Sequence, residues 1–307
     1  MRYDDFRRSD SIDDRRDDSG GGGGGGFGIP MGGGGGLGIG TIIVLGLLGY
    51  AFGIDPRILI GGAEILTGGN ESPSYQSDRQ SAPAKTGPPS DEMGSMIAGV
   101  LGEIDDRWDE IFKASGQTYK GPRIVLFRNA TNGGRCGMAQ SAMGPFYCPP
   151  DRQIFLDTGF FRQVETRFRG CSGNACKFTA AYIIAHEAGH HIQNLLGILP
   201  KANQLRERSS ERDANAISVR VELQADCFAG VWAHNVQAMG RLDQGDIEEA
   251  IRTASAIGDD KLQKAAQGTV VPDSFTHGSA AQRKQWFLTG YQQGTVQSCN
   301  TFGAGVL

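Results

Sequence analysis

The stretch FTAAYIIAHEAGHHIQNLLGI, residues 178–198, carries the most information in this chain. It contains two histidines, His186 and His190, that are four residues apart within an apolar run. On a helix, residues four apart lie one turn above each other, so both imidazoles can reach one metal ion. Glu187 lies angularly between them on the same side. Because polar side chains are costly in an apolar helix unless they are paired or bound to a metal, the stretch predicts a metal-binding helix.

Zinc suits this arrangement, because Zn²⁺ takes neutral imidazole readily, accepts any ligand geometry and does no redox chemistry. A carboxylate beside an open coordination position, here Glu187, can take a proton from an attacking water and later give it to a leaving amine. A shuffled sequence of this composition contains H-E-x-x-H in only about half a percent of cases. His191 faces about 100° away from His190, which favours an ordinary exposed or packed histidine.

A catalytic zinc site needs a third protein ligand and an open position. The long metzincin motif would require Gly at 193 and His at 196, and the chain has Gln193 and Leu196 instead. The later segment RVELQADCFAG offers Glu222 and Asp226, again one turn apart. Glu222 can bind zinc, and Asp226 can accept a hydrogen bond from the outer nitrogen of a ligand histidine; a solvated helix face is the alternative for both. His234 competes as third ligand but faces about 120° away from Glu222.

The fifth histidine, His277, comes just before a helix that Ser279 can cap. A loop histidine held near the metal can stabilise the oxyanion of a tetrahedral intermediate, which makes His277 a candidate catalytic residue. Local packing at the start of the helix is the alternative interpretation.

Glycine is concentrated at the beginning of the chain: 17 of the 47 glycines lie within the first 50 of the 307 residues. Residues 1–19 mix five Arg with seven Asp, and residues 20–36 are mostly glycine. Such segments bury too little apolar surface to offset the entropy of ordering them. Residues 1–36 are therefore predicted to be a disordered cytoplasmic head.

A segment without charges, LGIGTIIVLGLLGYAFGI, follows at residues 37–54. As a helix it would be about 27 Å long, which predicts a single transmembrane anchor; a signal-peptide core and a buried helix are the alternatives. Five Arg precede the segment, so the positive-inside rule places the N-terminus in the cytoplasm and the body outside it. For a bacterial protein this means a single-pass inner-membrane protein with its catalytic domain in the periplasm. Residues 55–92 are predicted to be a linker.

The body, residues 93–307, combines a few strands with many helices. Met93 to Ile111 shows the spacing of an amphipathic helix that Gly116 would end, and Arg123 to Arg128 and Gln153 to Asp157 have the pattern of strands. From Phe178 onward the pattern is helical almost to the end. These features predict an α+β fold with a small antiparallel sheet and a mainly helical body.

The six cysteines contain no C-x-x-C motif that would indicate a zinc ribbon or a thioredoxin site. Outside the cytoplasm an even number favours disulfides, although six cysteines allow 15 connectivities. Sequence proximity suggests the pairs Cys136–Cys148 and Cys171–Cys176, which leaves Cys227–Cys299. Reduced, buried cysteines are the alternative.

The chain has 30 Lys and Arg against 34 Asp and Glu, a net charge of -4. It therefore offers no basic field that could hold a phosphate backbone, and nucleic acid is excluded as an expected partner.

Four segments together resemble the bacterial neutral zinc metallopeptidase family: GPFYCPPDRQIFLD (144–157), AHEAGHHIQNLLG (185–197), RVELQADCFAG (220–230) and DSFTHGSAAQRKQWF (273–287). The resemblance covers roughly residues 93–303 and implies a zinc hydrolase with a zincin-like, specifically gluzincin-like, fold. It implies His186, His190 and Glu222 as zinc ligands and Glu187 as the catalytic glutamate. The E-x-x-x-D pattern is also similar, locally, to that of membrane-associated gluzincins.

The sequence therefore predicts a membrane-anchored zinc endopeptidase that acts on a protein or peptide substrate. Two alternatives stay open. One is a membrane-tethered binding or scaffold protein with a structural or degenerate metal site. The other is a zinc amidase that acts on cell-wall peptides.

Overall fold

Helices make up most of the structure, and a small sheet accompanies them. The computed structural model describes residues 1–17, 85–86, 89–166 and 176–303. The strands are β1 Ile12–Asp14, β2 Lys85–Thr86, β3 Arg123–Phe127, β4 Ala130–Asn132, β5 Met138–Gln140, β6 Phe146–Cys148 and β7 Gln153–Asp157. The helices are α1 Glu92–Ala114, α2 Phe160–Thr166, α3 Cys176–Leu195, α4 Ile198–Glu207, α5 Glu211–Ala238, α6 Asp246–Ala256, α7 Asp259–Gln267 and α8 Ala280–Gln293. The predicted α+β class is confirmed.

The main sheet has five strands in the order β2-β1-β3-β7-β6. Strand β3 pairs in parallel with both β1 and β7, whereas β2 and β6 are antiparallel to their neighbours. The prediction of an antiparallel sheet is therefore wrong for the central strands. The reason is the connection between β3 and β7, which is long enough to return the chain to the starting end of the sheet. This connection contains the hairpin β4–β5 and the edge strand β6.

Both faces of the central strands are buried. Ile124 and Leu126 belong to the main core that the helices share, whereas Val125 and Phe127 pack with Phe155 in a second, smaller core. Burial on both faces explains why the strand RIVLF is apolar throughout instead of alternating with polar residues.

Residues 1–17 are part of this fold, so the prediction of a disordered head is wrong for them. Strand β1 lies between β2 and β3, and Ile12 and Phe6 are buried in the main core. Some of its charged residues also find partners elsewhere in the domain: Arg7 pairs with Asp106, and Arg16 pairs with Asp91. The remainder of the predicted head, residues 18–36, lies outside the described residues.

The predicted linker, residues 55–92, is only partly described. Strand β2 at Lys85–Thr86 joins the sheet beside β1, and Glu92 already belongs to α1. The described end of this region is therefore part of the domain. The predicted anchor at residues 37–54 lies outside the described residues. Within the described ranges, no helix combines the length and the apolar character that a bilayer crossing requires.

Helix α1 confirms the amphipathic pattern read from Met93 to Ile111. The side chain of Asp91 caps its first turn by accepting a hydrogen bond from the backbone N–H of Gly94. The helix ends at Ala114, close to Gly116, whose φ of +69° suits a residue without a Cβ. Strands β3 and β7 likewise confirm the predicted strands.

Three helices bring the functional residues together, because glycines let their backbones approach closely. A Cβ placed on Gly189 of α3 would lie 2.9 Å from the carbonyl oxygen of Ala225 in α5. A Cβ on Gly290 of α8 would lie only 1.9 Å from the carbonyl oxygen of Cys227 in α5. Helix α5 is therefore held between α3 and α8 at a spacing that only glycine permits.

The disulfide Cys136–Cys148 is formed, as sequence proximity suggested, and so is Cys227–Cys299, the pair that was left over. Cys176 is also disulfide-bonded, and Cys171, its predicted partner, lies outside the described residues. The second disulfide ties the middle of α5 to the short 3-10 helix Val296–Cys299.

Candidate metal centre

Helices α3 and α5 bring the three predicted zinc ligands together. The Nε2 atom of His186 lies 3.2 Å from one carboxylate oxygen of Glu222, and the Nε2 atom of His190 lies 3.6 Å from the other. One potential ligand atom from each of the three residues lies within 4.8 Å of the others, and the two imidazole rings are nearly perpendicular. Among the described residues these three form a group that can hold a metal ion.

The outer nitrogens of both histidines are held by other side chains. The Nδ1 atom of His186 lies 2.9 Å from a carboxylate oxygen of Asp226, and that of His190 lies 2.9 Å from the amide oxygen of Gln193. Both partners are acceptors, so Nδ1 carries the hydrogen in each case. Each Nε2 is thereby left to point at Glu222 with its lone pair in the neutral imidazole. The role that the sequence predicted for Asp226 fits this geometry.

Gln193 is itself fixed by helix α5. Its amide nitrogen donates to the carbonyl oxygen of Val221 and to the side-chain oxygen of Gln224. Gln224 in turn donates to the carbonyl oxygen of Cys299. The orientation of His190 therefore depends on the backbone position of Cys299, which is disulfide-bonded to Cys227.

Asp226 is fully buried and is paired on its other side by Arg283 of α8. The guanidinium donates to both carboxylate oxygens, over 2.8 and 2.9 Å, and the hydroxyl of Tyr182 donates as well. Burial opposes ionisation of Asp226, but Arg283 and His186 outweigh it and lower its pKa to about 2. Sequence reasoning missed Arg283. It lies 57 residues from Asp226 in the sequence, and the residue spacing around it indicates only an amphipathic helix.

The charges of the cluster balance one another in a buried site. Burial opposes protonation of His186, but Asp226 and Glu222 overcome it and raise the pKa of His186 to about 10. Burial also opposes ionisation of Glu222, yet His190, His186 and His277 bring the pKa of Glu222 well below its usual value. Because zinc binds the neutral imidazole and the ionised carboxylate, a metal ion that binds there must displace any proton that the cluster holds.

Glu187 lies between the two histidines in the sequence and is 7% exposed. Burial raises the pKa of Glu187 above its ordinary value, even though His186 and His190 act against the shift. A raised pKa brings a carboxylate nearer to the range in which it both accepts and returns a proton near neutral pH.

His277 lies close enough to the cluster to interact electrostatically with Glu222. It is held by Asp259, the first residue of α7. One carboxylate oxygen of Asp259 accepts hydrogen bonds from the backbone N–H groups of Thr276, His277 and Gly278, and the other lies 3.2 Å from Nδ1 of His277. Gly278 adopts a φ of +91°, which allows the chain to wrap around this carboxylate. Sequence reasoning missed Asp259, whose only local sign is an acidic residue at a helix start.

The other two histidines lie outside the cluster. His191 is fully buried, with Nε2 donating to the carbonyl oxygen of Lys120 and Nδ1 accepting from the hydroxyl of Tyr147. The packed-histidine interpretation of His191 is therefore confirmed. His234 bonds through Nδ1 to the carbonyl oxygen of Tyr291 and is not in the group of described residues that could hold a metal.

The chemistry of this donor set fits zinc. Two neutral imidazole nitrogens and one carboxylate are the ligands of many catalytic zinc sites, which keep a further position open. The outer-nitrogen partners, a carboxylate and an amide oxygen, are those that commonly orient zinc-ligating histidines. The residues present would therefore hold Zn²⁺ through His186, His190 and Glu222.

Comparison with known proteins agrees with this geometry. The profile of the family described as "Putative neutral zinc metallopeptidase" matches residues 1–302. The chain is 42% identical over 308 residues to "Uncharacterized protein YpfJ" of Escherichia coli K12, covering all of both chains. It is 43% identical over 209 residues to "Uncharacterized protein Rv2575" of Mycobacterium tuberculosis H37Rv, covering 65% of this chain and 68% of the relative. No solved structure matches.

Proposed function

This chain belongs to the neutral zinc metallopeptidase family, and from that premise we propose that it is a zinc-dependent endopeptidase that hydrolyses peptide bonds with Glu187 as general base. The observation that carries the proposal is the convergence of His186, His190 and Glu222 beside a buried carboxylate that no ligand role requires. A purely structural metal site has no need of such a base.

His186, His190 and Glu222 hold the metal, and Glu187 moves protons. When bound by its three ligands, Zn²⁺ supplies a Lewis acid for the scissile carbonyl and for the attacking water. Glu187 takes the proton of that water and delivers it to the leaving amine. Because burial raises the pKa of Glu187, its carboxylate holds this proton more readily than an exposed glutamate would.

His277 supplies the remaining polar contact to the substrate. Carbonyl attack creates an oxyanion, and a preorganised donor aimed at it stabilises the transition state more than the ground state. Asp259 fixes His277 through its ring and its backbone at once, so little reorganisation is needed during the reaction. His277 therefore acts as the oxyanion donor, and Asp259 positions it.

The test combines metal analysis of the purified full chain with digestion of a broad peptide library. We expect about one zinc per chain and cleavage of internal peptide bonds. Glu187→Gln should retain zinc and lose cleavage by a factor of about 10² or more, since a general base contributes about that much. Glu103→Gln is the matched control, because Glu103 is also buried but pairs with Arg241 in another part of the domain.

The outcomes separate the proposal from its alternatives. Cleavage by Glu187→Gln at the rate of the unaltered chain would exclude the role of Glu187. Tightly held zinc with no cleavage of any library member would favour a binding or scaffold protein with a structural site. Cleavage restricted to cell-wall peptides added to the library would favour an amidase.

A further inference from the structure

We infer that residues 1–17 are a built-in part of the domain that carries the metal centre, and that both therefore lie on the same side of any membrane. This charged segment has no role in the proposed reaction, yet it occupies an interior position in the sheet. The sequence-based expectation separated the two, with the segment in the cytoplasm and the domain outside. The contacts of residues 1–17 join this segment to the domain.

Backbone pairing in the sheet joins the segment to the domain. Residues Ile12 to Asp14 of β1 pair in parallel with Ile124 to Leu126 of β3, and β2 pairs with the other edge of β1. Beyond the strand ends, the N–H of Ile124 donates to the carbonyl oxygen of Ser11, and that of Arg15 donates to the carbonyl oxygen of Leu126. Strand β1 is thus flanked on both sides, so its removal would leave the edge of β3 unpaired.

Helix α1 is shaped to receive the segment. A Cβ on Gly102 would lie 1.8 Å from the carbonyl oxygen of Arg7, and a Cβ on Gly99 would lie 3.1 Å from that of Tyr3. Next to Gly99, the carbonyl oxygen of Ala98 accepts a hydrogen bond from the N–H of Ser9. The backbone of the segment therefore lies directly on the helix, in a space that larger residues would fill.

Two of the five arginines on which the predicted orientation rests bond to carboxylates of the domain. Arg7 contacts both carboxylate oxygens of Asp106, over 3.0 and 3.2 Å from its Nε. Arg16 bonds to Asp14 and, over 3.0 Å, to Asp91 at the start of α1. Arginines engaged with carboxylates of a folded domain are a poor indicator of which side of a membrane the N-terminus occupies.

Two strands can pair only if both lie on the same side of a membrane. The hydrocarbon core is about 30 Å thick, whereas paired strands lie about 4.8 Å apart. Residues 1–17 precede the hydrophobic segment 37–54 and the domain follows it. One crossing between them would place β1 and β3 on opposite sides, where they could not pair. The same condition holds if β1 were contributed by a second copy of the chain, because every copy would cross in the same direction.

Labelling of cysteines in cells tests sidedness directly. Asp4→Cys and Lys264→Cys place a thiol at an exposed position in the segment and in the domain, respectively. Each full-length variant is expressed in bacteria, and spheroplasts are treated with a membrane-impermeant maleimide before and after permeabilisation. We expect the two positions to behave alike, both labelled before permeabilisation or both only after it. Labelling of one position with protection of the other would overturn the inference.

Limited proteolysis tests the docking itself on the purified full chain. Arg7, Arg8, Arg15 and Arg16 are trypsin sites that docking should protect. Gly102→Leu introduces a side chain where the segment lies, whereas Ala114→Leu introduces the same side chain at an exposed position of the same helix. Cleavage within residues 1–17 should be at least about ten-fold faster in Gly102→Leu than in Ala114→Leu or the unaltered chain. Equally rapid cleavage in all three would overturn the inference.

Discussion

Asp226 holds the outer nitrogen of His186 over 2.9 Å and thereby fixes which nitrogen of this ligand faces the metal. We expect Asp226→Asn to weaken zinc binding about 10- to 100-fold, because an amide orients and polarises the imidazole less well than a carboxylate. It should also reduce the free energy of unfolding by about 3 to 5 kcal/mol, since Arg283 would lose its buried counter-ion. Competition with a zinc chelator and denaturant unfolding measure the two effects.

Arg283→Gln is the matched control for Asp226, because it removes the other member of the same buried pair. This variant should also unfold more easily. Its zinc affinity should be unchanged or higher, since a positive charge near His186 is lost while Asp226 and Tyr182 remain in place. Equal losses of zinc affinity in the two variants would mean that Asp226 acts only through stability.

Gly189 lies inside the H-E-x-x-H motif, and its role is to let α3 approach α5. A Cβ at this position would lie 2.9 Å from the carbonyl oxygen of Ala225, closer than Cβ atoms approach in proteins, and 3.0 Å from its Cα, a very tight contact. Gly189→Ala should therefore push the helices apart and carry Glu222 away from the histidines. We expect a loss of about 1 to 3 kcal/mol in stability, as for other overpacked interiors, together with weaker zinc binding. Zinc affinity equal to that of the unaltered chain would contradict this account.

How far the sequence predicts the site depends on how local each contact is. His186, His190 and Glu187 lie within one helical turn, so their spacing alone indicates their common purpose. Glu222 follows from a second local pattern and from the family resemblance. Arg283 and Asp259 could not be recognised in this way, because they act through contacts that exist only after the helices have packed.

The fold shows the same limit. The apolar runs of β3 and β7 are strong enough to predict strands, but their parallel pairing depends on the long connection between them. Residues 1–17 have a composition typical of disorder, since Phe6 and Ile12 are among the few apolar residues there. Composition alone does not show that a charged residue of this segment, such as Arg7, has a partner on α1, here Asp106.

Asp259 should matter for turnover and little for zinc. We expect Asp259→Asn to lower kcat about ten-fold with KM and zinc content nearly unchanged, because His277 would lose its charged partner while the loop keeps most of its hydrogen bonds. His277→Ala should have a larger effect on kcat, about 10². Peptide cleavage by the purified variants measures both.

A double variant distinguishes positioning from a general structural role for Asp259. If Asp259 acts through His277, Asp259→Asn should have almost no further effect on kcat once His277 has been replaced by Ala. The pH profile of kcat should also change in Asp259→Asn, because His277 then titrates without its carboxylate. Independent, multiplicative losses of kcat would contradict a shared function.

His191 makes stability depend on pH in a direction that its burial determines. Burial lowers the pKa of His191 to about 4, against about 6.5 in the unfolded chain. As the pH falls from 6.5 to 4, the unfolded chain binds a proton that the folded chain does not, so the free energy of unfolding decreases by about 3 kcal/mol. This contribution is present above pH 6.5 and lost below it. In metal-free protein, so that zinc release does not interfere, unfolding of His191→Asn should show a correspondingly shallower decrease over this range, and parallel curves for the two proteins would contradict the assignment.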